Sequence, residues 1–149
     1  MSNNIKTVYK AGIAMHFYNL ERWFYLHHLR IMAEITYRFM QILLGCTIPY
    51  TCDLEKGVHI PHWHGIVLNE ICKVGTGSYI FQNVTLGGAK GKHGPTIGKN
   101  CIIGSGAVVL GEIHIGDNTR IGANAVVLKD VPANCTVVGV PAKIVKLKE

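Results

Sequence analysis

Residues 97–132 read I-G-K-N-C-I, I-G-S-G-A-V, V-L-G-E-I-H, I-G-D-N-T-R, I-G-A-N-A-V and V-L-K-D-V-P when the chain is written in sixes. An aliphatic residue takes every first place (Ile97, Ile103, Val109, Ile115, Ile121, Val127), and a small or apolar residue takes every fifth (Cys101, Ala107, Ile113, Thr119, Ala125, Val131). A six-residue repeat with Gly, Asn and Asp between those places is the signature of a parallel β-helix. Each hexad forms one short strand and a turn, and stacked coils bury one continuous aliphatic column. Glycine and asparagine suit the corners because those positions often need positive φ. Aliphatic residues in this region are therefore read as stacking residues first.

The period extends upstream. Leu68, Val74, Ile80 and Leu86 keep the first place, and Leu54, Ile60, Ile66, Cys72, Ser78 and Val84 keep the fifth. It breaks once, between Leu86 and Ile97, where G-G-A-K-G-K-H-G-P-T supplies the additional residues. This glycine-rich loop near 88–96 carries Lys90, Lys92 and His93, and loops on a rigid scaffold are where chemistry tends to be placed.

Residues 5–45 follow another rule. They contain no proline, and their mostly apolar residues recur at three- and four-residue steps, as in Phe17, Leu20, Phe24, His28, Ile31 and Ile35. Two or three helices are expected, with Asn19 as an N-cap. Residues 1–45 thus read as a short helical cap, and 46–149 as a left-handed β-helix domain once the resemblance described below is added. The cap is expected to pack on the β-helix. Its five Lys/Arg against two acids also allow a peripheral membrane contact.

At 149 residues and 48% hydrophobic content the chain is sized for one compact, ordered core. Its net charge of +6 is spread over the N-terminal segment, the central loop and the tail. There is no basic stripe with interleaved aromatics, so no nucleic-acid partner is expected. Cys46, Cys52, Cys72, Cys101 and Cys135 form an odd set without C-x-x-C, which reads as reduced, buried thiols. The start M-S-N-N-I-K has no apolar core of a signal peptide, and no run reaches the ~20 apolar residues of a membrane span. A cytoplasmic location is expected, with membrane association through the cap as the variant.

The stretch V-H-I-P-H-W-H-G-I-V at 58–67 places three imidazoles in six positions. As a strand of the β-helix it would turn His62 and His64 to one side and His59 to the other. H-x-x-H-x-H is also a zinc-ligand pattern. Only two of the three converge on one side of a strand, so no metal is expected.

These features together resemble the hexapeptide-repeat acyltransferases, and within them the serine acetyltransferase group. The matching segments are H-W-H-G-I-V at 62–67, Q-N-V-T-L-G-G at 82–88, the hexads from Ile97, and V-P-A-N-C-T-V-V-G-V-P-A-K-I-V at 131–145. The resemblance implies a left-handed parallel β-helix assembled as a homotrimer, with acetyl-CoA bound between neighbouring subunits. It also implies a histidine base followed by two variable residues and then G-I-V, which is His62. Four family features are replaced here. Pro61 stands where that group has an aspartate, and Thr47 where it has the carboxylate that orients the base. His93-Gly94 stands for a substrate-binding Arg-His pair, and the N-terminal helical region is short. A second β-helix group, the γ-class carbonic anhydrases, binds metal through histidines whose close spacing His93 and His114 do not reproduce.

Acetyl transfer to a hydroxyl needs a base, since an alcohol attacks a thioester poorly until its proton is removed. An imidazole titrating near pH ~6.5 suits that task, and His62 is the expected base. Gly87 and Gly88 are expected to present a backbone N–H to the thioester oxygen. Trp63, His64 and His93 are expected to contact the acceptor. The pantetheine arm of the donor is expected beside Ser105, Ala107, Ala123 and Ala125, with Lys129, Lys143 and the tail Lys146 and Lys148 near its phosphates.

The acceptor expected from these replacements is a saccharide, such as a surface-polysaccharide precursor. The alternative is serine O-acetylation in cysteine biosynthesis. A metal lyase of the carbonic anhydrase type and a non-catalytic scaffold are the remaining readings.

Overall fold

The computed structural model describes residues 12–88 and 93–147. Two helices come first, α1 (Ile13–Leu26) and α2 (Arg30–Leu44). Thirteen short strands follow among the described residues, arranged as three parallel sheets that form the faces of a column. The first face holds β2 (Val67–Leu68), β5 (Thr85–Gly87), β8 (Val108–Leu110) and β11 (Val126–Val127). The second holds β1 (Asp53–Leu54), β3 (Lys73–Val74), β6 (Thr96–Ile97) and β9 (His114–Ile115). The third holds β4 (Tyr79–Ile80), β7 (Ile102–Ile103), β10 (Arg120–Ile121) and β12 (Cys135–Val138), with β13 (Lys143–Leu147) running antiparallel to β12.

The first-place aliphatics line the inside. Ile80, Leu86, Ile103 and Val109 are fully buried, and each such side chain contributes about 1.5–3 kcal/mol over leaving it exposed. All five cysteines are buried and unpaired with one another as disulfides. They sit two residues before an inward aliphatic, in the same inner corners as Ala107 and Ala125.

Pairing registers show three departures from the period, where the sequence showed one. Ile103 pairs with Ile121 eighteen residues on, the regular coil. Leu54 pairs with Val74 twenty residues on, and the bridge His59↔Tyr79 places the two extra residues between 59 and 67. Val74 pairs with Ile97 across the glycine-rich loop, and Ile115 pairs with Val131 only sixteen residues on. Leu54, Ile60 and Val131 therefore occupy the first place of their coils, not the fifth expected from counting. A run of alternating aliphatics reads equally well in both registers, so counting did not reveal the shift.

The helices close over the first coil. Ala14, Met15, Tyr18, Met40 and Leu44 share one buried cluster with Cys46, Ile48, Cys52 and Ile60. The Tyr18 hydroxyl donates to Cys52 O at 2.8 Å and accepts Leu54 N–H at 3.1 Å. Arg22 Nη1 donates to Tyr50 O at 2.8 Å. These are backbone groups of the first coil that have no preceding strand to pair with. Asn19 lies inside α1 and does not cap it; Gly12 precedes the helix without a side-chain cap. The α2 end is a left-handed Gly45 (φ 61°) whose N–H donates to Gln41 O. Asn19 has a side chain able to cap a helix, but α1 starts six residues before it, at Ile13.

One cap residue contradicts its surroundings. Glu21 is fully buried, both carboxylate oxygens have no hydrogen-bond partner, and burial, reinforced by nearby Glu34, pushes its pKa up to about 9. It is a neutral acid at pH 7.

Candidate active site

The two extra residues of the first departure lie in the corner that joins the third face to the first. Here the chain leaves the ladder after Ile60 and returns at β2, so the stretch around His62 is a projecting turn and not the strand expected. Three bonds shape it. Gly65 N–H donates to Gly45 O at 2.9 Å, Ile66 N–H to Trp63 O at 3.3 Å, and Asn83 N–H to His64 O at 2.9 Å. Gly65 takes φ 69°, and the Asn83 carboxamide fills the space a Cβ would need. The extension lifts His62 and His64 out of the column, where both are exposed.

The His62 ring faces Phe81 of the next coil, with centroids 6.3 Å apart and planes inclined by 35°. Trp63 stacks on His64 at 5.4 Å and packs, partly buried, against the core edge. His59 stands apart, stacked on Tyr79 at 4.6 Å and 17°. Among the described residues, no three His, Cys, Asp or Glu side chains are grouped so as to hold a metal ion.

The same corner rises through the coils above. Gly106 N–H donates to Gln82 O at 2.9 Å, and Asn124 N–H donates to Ser105 O at 2.9 Å. Residues 61–65, 81–83, 104–106 and 122–124 thus form one vertical wall that includes His62, Ser105 and Ala123. This wall contains no Asp, Glu, Lys or Arg. Ala107 and Ala125 are fully buried inside the column. They are removed from the outer surface where the donor was expected, because the fifth place of each hexad points inward.

The other expected site residues lie elsewhere on the chain. Gly87 ends β5, and Gly88 and exposed His93 belong to the corner that leaves the first face, on either side of the glycine-rich loop. Gly94, next to His93, is buried against Asn69, and a Cβ there would lie 2.9 Å from the Asn69 Cβ. Lys90, Lys92 and Lys148 fall outside the described residues. Lys129 and Lys143 come together on a groove of about 470 Å³ at the far end of the column, which Pro141 and Ala142 also line.

Thr47, which stands where the resembling group has its orienting carboxylate, and the nearest acids in sequence, Asp53 and Glu70, lie on other parts of the coil. Asp53 lies on the second face, 3.6 Å from Arg22, and Glu70 lies at the corner beyond β2. Thr47 bridges to Val67, and its hydroxyl accepts a bond from Gln41 Nε2 at 3.4 Å. Two polar atoms at the His62 corner were not singled out from sequence. Trp63 Nε1 and Gln82 Oε1 are both buried without a hydrogen-bond partner. Gln82 opens the Q-N-V-T-L-G-G segment, but nothing in the sequence alone distinguishes it from an ordinary corner residue.

Residues 94–129 match the family described as bacterial transferase hexapeptide (six repeats). A serine acetyltransferase of Synechococcus elongatus is 40% identical over 131 residues, covering 86% of this chain and 54% of the relative. That of Mycobacterium tuberculosis is 42% identical over 131 residues, covering 86% and 57%. Among solved structures, the Neisseria gonorrhoeae serine acetyltransferase in complex with serine aligns with a TM-score of 0.86 and 36% identity, over 93% of this chain and 58% of that one. The Brucella abortus serine acetyltransferase in complex with coenzyme A aligns with a TM-score of 0.87 and 32% identity, over 91% and 56%. This chain therefore spans little more than half the length of the curated relatives it matches. With these neighbours the column is a left-handed parallel β-helix.

Proposed function

From the premise that this is a hexapeptide-repeat, serine acetyltransferase-like chain, we propose that it transfers an acetyl group directly from acetyl-CoA to a hydroxyl of a small acceptor. The observation that carries the reading is His62, exposed on an extended corner and set against Phe81 at the foot of an uncharged wall. In this reading His62 takes the proton of the attacking hydroxyl. The oxygen adds to the thioester carbonyl, and a backbone N–H at Gly87 or Gly88 stabilises the resulting oxyanion. Collapse of the tetrahedral species breaks the C–S bond, and His62 returns its proton to the departing thiolate.

His62 and the Gly87–Gly88 pair stand at opposite edges of the first face, which supports a site completed between copies in a homotrimer. The donor would run along the wall past Ser105 and Ala123, its phosphates near Lys129 and Lys143. The division into a cap (1–45) and an acyltransferase domain (46–149) belongs to the same reading.

L-serine is the acceptor best supported, because the relatives are serine acetyltransferases and one neighbour holds serine. This displaces the saccharide from first place. The saccharide is kept as a second reading by one observation, that the His62 wall has no charged residue to match a zwitterion. The test is CoA release followed by a thiol reagent, with L-serine and with N-acetylglucosamine as acceptors. Turnover with serine alone removes the saccharide, and turnover with the sugar alone removes serine. Release with neither acceptor overturns both.

A cytoplasmic protein with peripheral membrane contact is the proposed location. Among the described residues no helix is long and apolar enough to cross a membrane. The contact is supported by exposed Ile31, Ile35 and Ile42 on α2 beside Arg30 and Arg38. Failure to sediment with anionic lipid vesicles would remove it.

A further inference from the structure

The turn carrying His62 and the loop above it stack residue on residue. The His62 ring meets the Phe81 ring, and the His64 carbonyl accepts the Asn83 N–H at 2.9 Å. That register sets Gln82 across from Trp63. Each of these two residues has a buried polar atom without a partner, the indole Nε1 of Trp63 and the carboxamide Oε1 of Gln82. A buried polar atom left unpaired costs about 1–3 kcal/mol, so two on neighbouring coils at one corner are unusual unless something arrives to pair them.

The chemistry of the two atoms is complementary. The indole can only donate a hydrogen bond, and the carboxamide oxygen can only accept one. We propose that Gln82 and Trp63 together bind a second polar group of the acceptor, next to the hydroxyl that His62 deprotonates, and so select which hydroxyl compound enters. The inference rests on the acetyltransferase reading and gives Gln82 an acceptor-binding role that the sequence did not suggest. The shared ligand chemistry is one donor and one acceptor close to the reacting hydroxyl. An amino acid supplies them as ammonium and carboxylate. A sugar supplies both in a single neighbouring hydroxyl, which donates to Gln82 while accepting from Trp63.

Steady-state kinetics of the full chain test this, with L-serine and N-acetylglucosamine in separate arms. Gln82→Leu keeps the approximate volume and removes the accepting oxygen. Its KM for the acceptor is expected to rise about tenfold or more, with KM for acetyl-CoA unchanged. Gln82→Glu retains an accepting oxygen and is expected to restore most of the acceptor affinity. In the serine arm it exceeds the wild type, because a carboxylate meets an ammonium; in the sugar arm it does not.

Unchanged acceptor KM in Gln82→Leu overturns the proposal. So does an equal rise in both KM values together with a lowered Tm, which marks a purely structural glutamine. If the wild type releases no CoA with either acceptor, the acetyltransferase reading fails, and calorimetric titration of both probes decides the inference separately. Binding weakened by Gln82→Leu sustains it, and no binding to the wild type overturns it.

Discussion

Phe81 stands over His62 from the next coil, 6.3 Å between ring centroids, so the exposed imidazole has an aromatic wall on one side. That arrangement limits where the ring can turn while leaving it reachable by an acceptor. His62→Ala is expected to lower kcat by about 10²–10⁴-fold, the usual contribution of a general base. Circular dichroism and Tm should stay near wild type, since the side chain is outside the core. Near-normal turnover in that variant would reject His62 as the base.

Glu21 should make stability depend on pH in an unusual sense. Its carboxyl is held near pKa 9 by burial, against 4.5 as the unperturbed value. A raised carboxyl pKa means the unfolded state gives up its proton first. Stability is therefore greatest below about pH 4.5 and is lost progressively as pH rises towards 9, so far as this group is concerned. Glu21→Gln removes that slope and is expected to raise stability at pH 7 by a few kcal/mol, on the order of 3. Urea denaturation at pH 5, 7 and 8.5 measures it. Parallel slopes for both proteins would show that Glu21 is charged in the folded state.

Gly65→Ala should destabilise the His62 turn. Position 65 has φ 69°, and the Asn83 side chain occupies the site of the new methyl group. A loss of about 1–3 kcal/mol is expected from backbone conformation and displacement together. A denaturation midpoint equal to wild type would mean that the turn has slack to absorb the methyl.

Tyr18→Phe removes a hydroxyl that serves two backbone groups of the first coil at once. The expected cost is about 1–3 kcal/mol, because the Leu54 N–H loses its acceptor while Cys52 O keeps only Arg22 Nη1 at 3.2 Å. Hydrogen exchange at the Leu54 amide should accelerate more than at Ile103. Equal exchange at both would indicate that water replaces the hydroxyl freely.

Lys129→Ala with Lys143→Ala should raise KM for acetyl-CoA several-fold and flatten its salt dependence, leaving KM for the acceptor unchanged. A salt dependence equal to wild type would place the donor phosphates elsewhere.

The repeat was legible from sequence because one inward aliphatic per six residues is dictated by the geometry of the coil, and the hexads from Ile97 to Val127 follow it without interruption. The register on either side was not legible. Ile60 and Val131 are apolar in whichever place they fall, so a gain or loss of two residues leaves no mark on hydrophobicity alone. The gain lies at the turn of His62, and it explains why a stretch that reads as a strand forms a projection instead. Ala107 and Ala125 were misplaced for a related reason. Smallness suits a surface that a ligand approaches and also a crowded inner corner, and only coordinates separate the two. Glu21 was invisible as an exception because its spacing fits α1, while its burial depends on α2 and the first coil packing around it.

The antiparallel β13 and the side chains of Tyr18 and Arg22 occupy the two ends of the column. A stack of identical coils has no intrinsic last member, and each open rim is a template on which another chain could continue the ladder. At one rim β13 reverses the strand direction, and at the other tyrosine and arginine take the backbone groups that an additional coil would use. Part of each rim is thereby occupied, which disfavours continuation of the ladder along the axis by another copy.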